Sequence, residues 1–390
     1  MSALWAEHVH GEVGLIDPGG FTQALQRRRP VRRLFPSVGL GYIAAALEKN
    51  GERVHVLDAS VANRTGIQRF LSRPVLLFGV TTVSYTYAEA LQVAQAVKRR
   101  YPRVPVLLAG PHVSVAGETC LESPAVDYAL QGEGEETVVD LVEVLKRSPE
   151  PTLEILAGIP GLMYREGRTV RVNPPPPRLN HLDDLPFPAW HLFPMPRYRQ
   201  HAVLTSRGCP MNCGFCSVRA IWGTACIRRR PESVVSEMVW LRKQWGPKLH
   251  HINDDNLTLD RRHVEAFCDA LLATRQRLPW VAQGVRADAL DAPLLARMRR
   301  AGCVRVSMGI ESADDAVLDT VGKGERVEDM ARAIRLCREA GITVLGMFMV
   351  GNEGDTEASV ERSIAFAREQ RIDLPAFYMA LPYPKTRLWD

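Results

Sequence analysis

The chain has 390 residues, 46% of them hydrophobic and 24% charged, and a formal net charge of +5. That length exceeds one ordinary core and predicts two domains with the composition of a globular protein. The modest positive charge makes no case for nucleic acid, and no apolar stretch of about 18 residues is present to span a membrane.

The opening residues, MSALWAEHVHGEVGLIDPGG, show no basic segment followed by an apolar run. No signal peptide is read there, and a cytoplasmic protein is expected. Eight cysteines in such a chain do not make a disulfide framework. Five of them (Cys120, Cys226, Cys268, Cys303, Cys337) are scattered in strand or helix patterns and are expected as buried thiols.

In chain order, apolar runs at 13–17, 53–58, 75–80, 104–110 and 126–132 alternate with helical periodicity at 39–51, 87–100 and 135–147. Short apolar strands between amphipathic helices predict an N-terminal Rossmann-like α/β fold, a doubly wound parallel sheet over residues 1–150. Its ligand would lie beyond the carboxyl ends of the strands, where TTVSYT (81–86), GPH (110–112) and QGEGE (131–135) stand. Residues 151–198 read as a hairpin, 161–172, turning at Glu166-Gly167, and then a stiff proline-rich linker.

Beyond it, over 199–390, six strand candidates at 202–208, 249–254, 280–287, 304–312, 343–351 and 376–383 are separated by five helical segments. Strands joined by right-handed helical crossovers predict a curved parallel sheet, and six of them a partial (β/α)6 barrel rather than a closed one. Catalytic residues would sit at the carboxyl ends of those strands.

SRGCPMNCGFCSV (206–218) follows the first of these strands and spaces Cys209, Cys213 and Cys216 as C-x3-C-x2-C. One reading is a structural zinc site, which needs a fourth ligand. His201 is the nearest candidate, but its strand should carry it to the opposite end. The other reading is an iron–sulfur cluster held by three thiolates, with one iron open to a ligand. The spacing and the position after the first barrel strand together favour the open cluster.

This motif in this place resembles the radical S-adenosylmethionine enzymes. HINDDNLTLD (251–260), the stretch 285–324 and FMVGNEGDTEAS (348–359) extend the resemblance through the later strands, with Glu353 where proline is usual. The resemblance implies that Phe215 lies near the adenine, that the tip at Asp254 approaches the methionine amino group, and that Gly351 belongs to the turn at the fifth strand. PSVGLGYIAAALEKNGERVHVLDAS (36–60), GPHVS (110–114) and QGEGEET (131–137) resemble the cobalamin-binding domain that precedes the radical domain in one subfamily. By that resemblance Ser37, Thr82, Ser84, Gly110, His112, Gly132 and Gly134 would line cobalamin. The loop RRLFPSVG (32–39) offers no histidine, so no protein ligand to cobalt is expected from it.

Other residues admit two readings. Asp254 and Asp255 read as a metal pair or as an acidic turn facing a cationic ligand. Glu311 suits a ribose hydroxyl or the amino group, or a salt bridge to Arg286; Arg286 suits the methionine carboxylate, gripped bidentately. His112 meets a corrin side chain or is merely solvated. Gly132 and Gly134 would permit a neutral ligand edge to approach the backbone, because Glu133 and Glu135 repel phosphate. QRRRPVRR (26–33) lacks aromatic interleaving and reads as a solvated loop.

The family implies an enzyme with a 4Fe–4S cluster, S-adenosylmethionine and cobalamin. The reading it favours is C-methylation of an unactivated carbon of a small molecule by way of a 5′-deoxyadenosyl radical and methylcobalamin. The rivals are an oxidative cyclase or rearrangement enzyme of the same build, and a non-catalytic iron–sulfur or zinc protein. Expected partners are a small-molecule substrate, a reductant such as flavodoxin or ferredoxin, and a partner chain closing the substrate site.

Overall fold

The computed structural model describes residues 12–26 and 34–390, so the basic run 26–33 lies outside the described residues except for Gln26. Contacts divide the chain into two units, Met1–Asn180 with Asp184–Tyr198, and His181–Asp183 with Arg199–Asp390. Among the described residues no helix is long and apolar enough to cross a membrane.

In the first unit, β1 (Glu12–Asp17), β2 (Arg53–Asp58), β3 (Leu77–Thr81), β4 (Val106–Ala109) and β5 (Tyr128–Leu130) form parallel pairs. Helices Val38–Lys49, Tyr87–Arg100 and Glu135–Arg147 connect them as the periodicity predicts. The strand order is β2-β1-β3-β4-β5, continued by a hairpin of β6 (Leu162–Glu166) and β7 (Thr169–Val172). Successive strands leave β1 in opposite directions, toward β2 on one side and β3 on the other. Such a reversal opens a crevice at the carboxyl edge of an α/β sheet.

The hairpin does not stand apart from this sheet: Leu130 pairs antiparallel with Leu162, and the turn falls at Gly167-Arg168 because Glu166 pairs with Thr169. Nor is the proline-rich segment a free spacer. Trp190 is fully buried against Gly41, Ala189 N donates to Gly41 O at 3.0 Å, and the Tyr198 hydroxyl donates to Asp58 Oδ2 at 2.7 Å. Proline sets the extended path, and buried aromatic side chains fix it to the first unit.

In the second unit, the first predicted strand is split into β8 (Gln200–Val203) and β9 (Ser206–Arg207), the latter paired antiparallel with β10 (Ile227–Arg228). The break has a local cause: Thr205 N donates to the Asp254 side chain at 2.7 Å instead of to a neighbouring strand. β11 (Leu249–Ile252), β12 (Trp280–Val285), β13 (Cys303–Glu311), β14 (Thr343–Val350) and β15 (Leu374–Met379) complete a six-stranded sheet in the order β15-β14-β13-β12-β11-β8. All its pairs are parallel, as the partial barrel requires. Helices cover one face: the Trp280 ring meets Phe267 edge-on, and Ile372 fills the space over Gly346.

Candidate active site

The pairing of β9 with β10 brings the cysteine loop back on itself, with Cys209, Cys213 and Cys216 on the excursion between the two strands. Three distant segments hold it. Gly208 N donates to Asp255 Oδ2 at 2.8 Å, Gly214 N to Val321 O at 2.7 Å, and Leu388 N to Gly214 O at 3.0 Å. The Arg387 side chain lies over Gly214 and donates to Thr320 O. Phe215, between the second and third cysteines, is half-buried.

All three thiols are half-buried, and Asn256 Nδ2 donates to Cys209 Sγ at 3.6 Å. Burial pushes the Cys216 thiol up to about 11, and raises Cys213 against the pull of Lys323. Among the described residues no three His, Cys, Asp or Glu side chains gather as a ready cage for a single metal ion. His201, the zinc reading's fourth ligand, has Nε2 on Gly246 O at 3.1 Å. The donors along this loop are sulfur alone, and soft sulfur donors suit an iron–sulfur cluster. In donor chemistry the residues fit that group.

Asp254 and Asp255 hold different parts of the chain, Asp255 accepting from Gly208 N and Asp254 from the end of β8. Asp254 is buried and accepts from Thr205 N at 2.7 Å, Thr205 Oγ1 at 2.5 Å and Ser206 Oγ at 2.7 Å. The carboxylate expected to face a ligand instead clamps the end of β8 beside the cysteine loop.

Glu311 and Arg286 also differ from expectation. Glu311 ends β13 at φ 63, next to an irregularity that sets Gly309 opposite Met347 but Glu311 opposite Phe348. A left-handed, non-glycine residue costs about 1 kcal/mol, and a bulge of this kind re-aims a side chain. Its partner is Lys323, at 3.2 Å, rather than Arg286. The ammonium lies 2.9 Å from where a Cβ on Gly309 would stand, so that glycine makes room for the pair.

Lys323 is buried and also 3.3 Å from Glu325. Burial opposes its charge, but Glu311 and Glu325 outweigh burial and hold it protonated. Burial pushes the Glu311 carboxyl upward, against Lys323. Arg286 has its fork committed: Nε and Nη2 donate to Asp288 at 3.0 and 2.7 Å, and Nη1 to Lys323 O at 3.0 Å. It braces the Lys323 loop instead of offering an open grip for a carboxylate.

Sequence reasoning missed Lys323, in the plain stretch VGKGE, and a set of unsatisfied polar groups. Asn256 Oδ1, Ser312 Oγ and both polar atoms of the Asn352 amide are buried without a hydrogen-bond partner. They follow the carboxyl ends of β11, β13 and β14. Buried polar groups are ordinarily paired, so this rim is furnished for a polar ligand. Gly351, beside Asn352, is exposed at φ 91 and donates to Asp355 Oδ2 at 2.9 Å.

In the first unit the loops after β3, β4 and β5 lie at the carboxyl edge. His112 Nδ1 is 3.0 Å from Ser84 Oγ, His112 N donates to Thr82 O at 3.1 Å, and Gly132 N donates to Ser114 Oγ at 3.0 Å. Burial lowers the His112 pKa.

Most other residues expected to meet a ligand here have internal duties. Ser37 caps helix Val38–Lys49 through Leu40 N at 3.4 Å, and Thr82 Oγ1 donates to Val83 O at 3.1 Å. A Cβ at Gly110 would stand 2.8 Å from Thr82 O. One at Gly134 would stand 3.0 Å from Ile43, and one at Gly132 3.4 Å from Pro176. Gly110 and Gly134 thus make room for the chain's own atoms, whereas Gly132 is required by its φ of 80. Glu133 accepts Leu179 N at 2.7 Å and so ties down the proline segment. The ring of Tyr85, by contrast, is 76% exposed at the tip of the loop after β3.

Two family descriptions match the chain in this same order: "B12 binding domain" over residues 29–142 and "Radical SAM superfamily" over 203–367. An uncharacterized methyltransferase of Pyrococcus horikoshii is 32% identical over 376 residues, 93% of this chain and 80% of that protein. An anaerobic magnesium-protoporphyrin IX monomethyl ester cyclase of Cereibacter sphaeroides is 28% identical, over 91% of this chain and 60% of its own length. The solved structure of the radical S-adenosylmethionine methyltransferase TsrM from Kitasatospora setae, with cobalamin and a 4Fe–4S cluster bound, superposes with a TM-score of 0.80. That superposition covers 97% of this chain and 74% of TsrM at 21% identity, and shows a shared fold. With both families in sequence, and a relative at 32% identity along most of its length, the chain belongs to the cobalamin-binding radical S-adenosylmethionine enzymes, whose cofactors are a 4Fe–4S cluster, S-adenosylmethionine and cobalamin.

Proposed function

We propose that the chain is a C-methyltransferase acting on an unactivated carbon of a small molecule, with cobalamin as its methyl carrier. The observation that carries this reading is the cysteine loop after β8, set beside a rim of buried, unpaired polar groups and the Glu311–Lys323 pair. When bound, the cluster and S-adenosylmethionine supply hydrogen-atom abstraction, and cobalamin supplies methyl transfer.

The chain's own part is to hold and orient. Cys209, Cys213 and Cys216 ligate the cluster, and Asp254 and Val321 fix the backbone on either side of it. The amino-acid end of S-adenosylmethionine carries one charge of each sign, and Glu311 with Lys323 offers the complement of both. Asn256, Ser312 and Asn352 give hydrogen bonds to its polar edges, Gly351 leaves space beside them, and Phe215 packs against the adenine. On the first unit, Ser84 and His112 present a polar edge, with Thr82, Gly110, Gly132 and Gly134 shaping the loops behind it. An external one-electron donor of the flavodoxin or ferredoxin type completes the requirement.

The test is anaerobic reconstitution with iron, sulfide and hydroxocobalamin, then reduction in the presence of methyl-labelled S-adenosylmethionine. About four irons per chain, label on the corrinoid and release of deoxyadenosine are expected. Deoxyadenosine without any labelled corrinoid would overturn methyl transfer.

A further inference from the structure

Away from the rim, the face of the barrel sheet turned from its helices holds Arg305, a cation with no ion-pair partner among the described residues. Helices cover the other face, where His250 Nε2 reaches Met238 O at 3.2 Å and Trp280 meets Phe267. The neighbouring residues therefore point the opposite way. Across the strands, Ala202, His251, Val281, Arg305 and Thr343 stand in one register row on that inner face, where Ala202, His251 and Val281 are buried. Ser307 follows two residues above Arg305 on the same face, opposite Leu345, which in turn pairs with Leu374.

Among the described residues the Arg305 side chain makes no ion pair and no hydrogen bond, and its Nε is shut away from solvent without an acceptor. Ser307 is fully buried and its hydroxyl also has no partner. Nothing in the row supplies negative charge. Burial lowers His251 to about 4, with Arg305 adding to the effect, so this ring is neutral near pH 7. A guanidinium fork and a hydroxyl on one face of β13, both with unused hydrogen-bonding capacity, are the donor set for an oxyanion.

We propose that Arg305 and Ser307 form an anion subsite that receives a carboxylate or phosphate-type group of the substrate. This deepens the methyltransferase reading and rests on it for the word substrate. Arg305 lies six residues below Glu311 on one strand, so the two are roughly 20 Å apart along the sheet. The substrate is thus an elongated small molecule, its anion at the far end from the carbon that reacts at the rim.

The full chain, without S-adenosylmethionine, is titrated with inorganic phosphate and separately with acetate, using chloride at matched ionic strength as control, and its thermal midpoint is followed. A saturable rise of roughly 2–4 °C at ten times the half-saturating concentration is expected with at least one probe. The probe that gives it identifies the anion class. Arg305→Met should abolish the rise, Arg305→Lys should keep part of it, and Ser307→Ala should weaken it several-fold. Because the charge is unpaired, the free Arg305→Met protein should melt no lower than the parent, with the same iron loading. No rise with either probe, an undiminished rise in Arg305→Met, or a free variant melting several degrees lower would each overturn the subsite. A midpoint shift that persists where labelled methyl never reaches the corrinoid would instead sink the methyltransferase reading and leave the subsite standing.

Discussion

The carboxyl ends of the parallel strands are furnished in opposite ways in the two sheets. In the first unit most polar groups there are turned inward, with Glu89 Oε1 the buried exception: Ser37 caps a helix, Glu133 holds Leu179, and Ser84 meets His112. In the second unit the same edge carries a strained glutamate, a buried lysine between two carboxylates and four buried polar atoms without partners. A self-satisfied edge holds a ligand by shape and backbone. An unsatisfied edge needs the ligand to complete it, and that is where charge and reaction are concentrated.

The harshest way to break this contrast is to remove the sulfur donors. Replacing Cys209, Cys213 and Cys216 together with alanine is expected to abolish iron binding and every trace of S-adenosylmethionine cleavage, while the first unit keeps its fold. Iron and sulfide analysis with a deoxyadenosine assay checks the chemistry, and near-native corrinoid binding checks the fold. Turnover in the triple variant would end the radical reading.

The parts of this contrast legible in the sequence were those with period or spacing. Alternating apolar runs gave both sheets, and C-x3-C-x2-C after a strand marked the cluster loop. Roles set by pairing between distant residues were not legible. Asp254 reads as a ligand-facing tip until Thr205 is found beside it, and Arg286 reads as an open grip until Asp288 is seen to fill it. Lys323 carries no signal of its own, since its meaning comes from Glu311 twelve residues earlier and from the bulge that turns the glutamate toward it. The serine and glycines expected to touch cobalamin share their signature with ordinary caps and close-packed turns.

A second test asks whether the barrel unit depends on internal charge. Arg229 and Glu237 form a buried pair at 2.6 Å, and Arg229 also donates to Leu204 O at 3.0 Å, at the end of β8. Glu237→Gln leaves the guanidinium with only the more distant Asp183, at 3.8 Å, as counter-charge and is expected to destabilise the second unit by about 3 kcal/mol. Denaturant unfolding followed by segment-resolved hydrogen exchange should show the loss in residues 199–390 and little change in β1–β5. Equal loss in both units would mean that they unfold as one.

Acid should separate the units more gently. Burial lowers His250 and His251 to about 4 in the barrel unit, below the ordinary value near 6.5. The folded state therefore binds fewer protons than the unfolded one. Each ring's contribution is whole above pH 6.5 and is lost as pH falls from there toward 4, on the order of 3 kcal/mol for each at the acid end. Exchange rates across β11 and β12 measured from pH 7 to pH 4 should rise before those across β3 and β4. The reverse order would refute the assignment.

The smallest effect bears most directly on the first sheet. Ser37 Oγ accepts from Leu40 N at 3.4 Å, a long cap hydrogen bond, so Ser37→Ala is expected to cost about 0.5–1 kcal/mol of stability. If the edge is self-satisfied, that is all it should do, and corrinoid affinity should stay within about twofold once the stability change is allowed for. Ser84→Ala gives the contrast, because Ser84 sets the His112 ring at the edge itself and its loss should weaken corrinoid binding at nearly unchanged stability. Paired melting curves and corrinoid titrations of the two variants decide the matter. A tenfold loss of affinity in Ser37→Ala with the helix intact would return this serine to the ligand, and the first sheet would then be completed by its cofactor just as the second is.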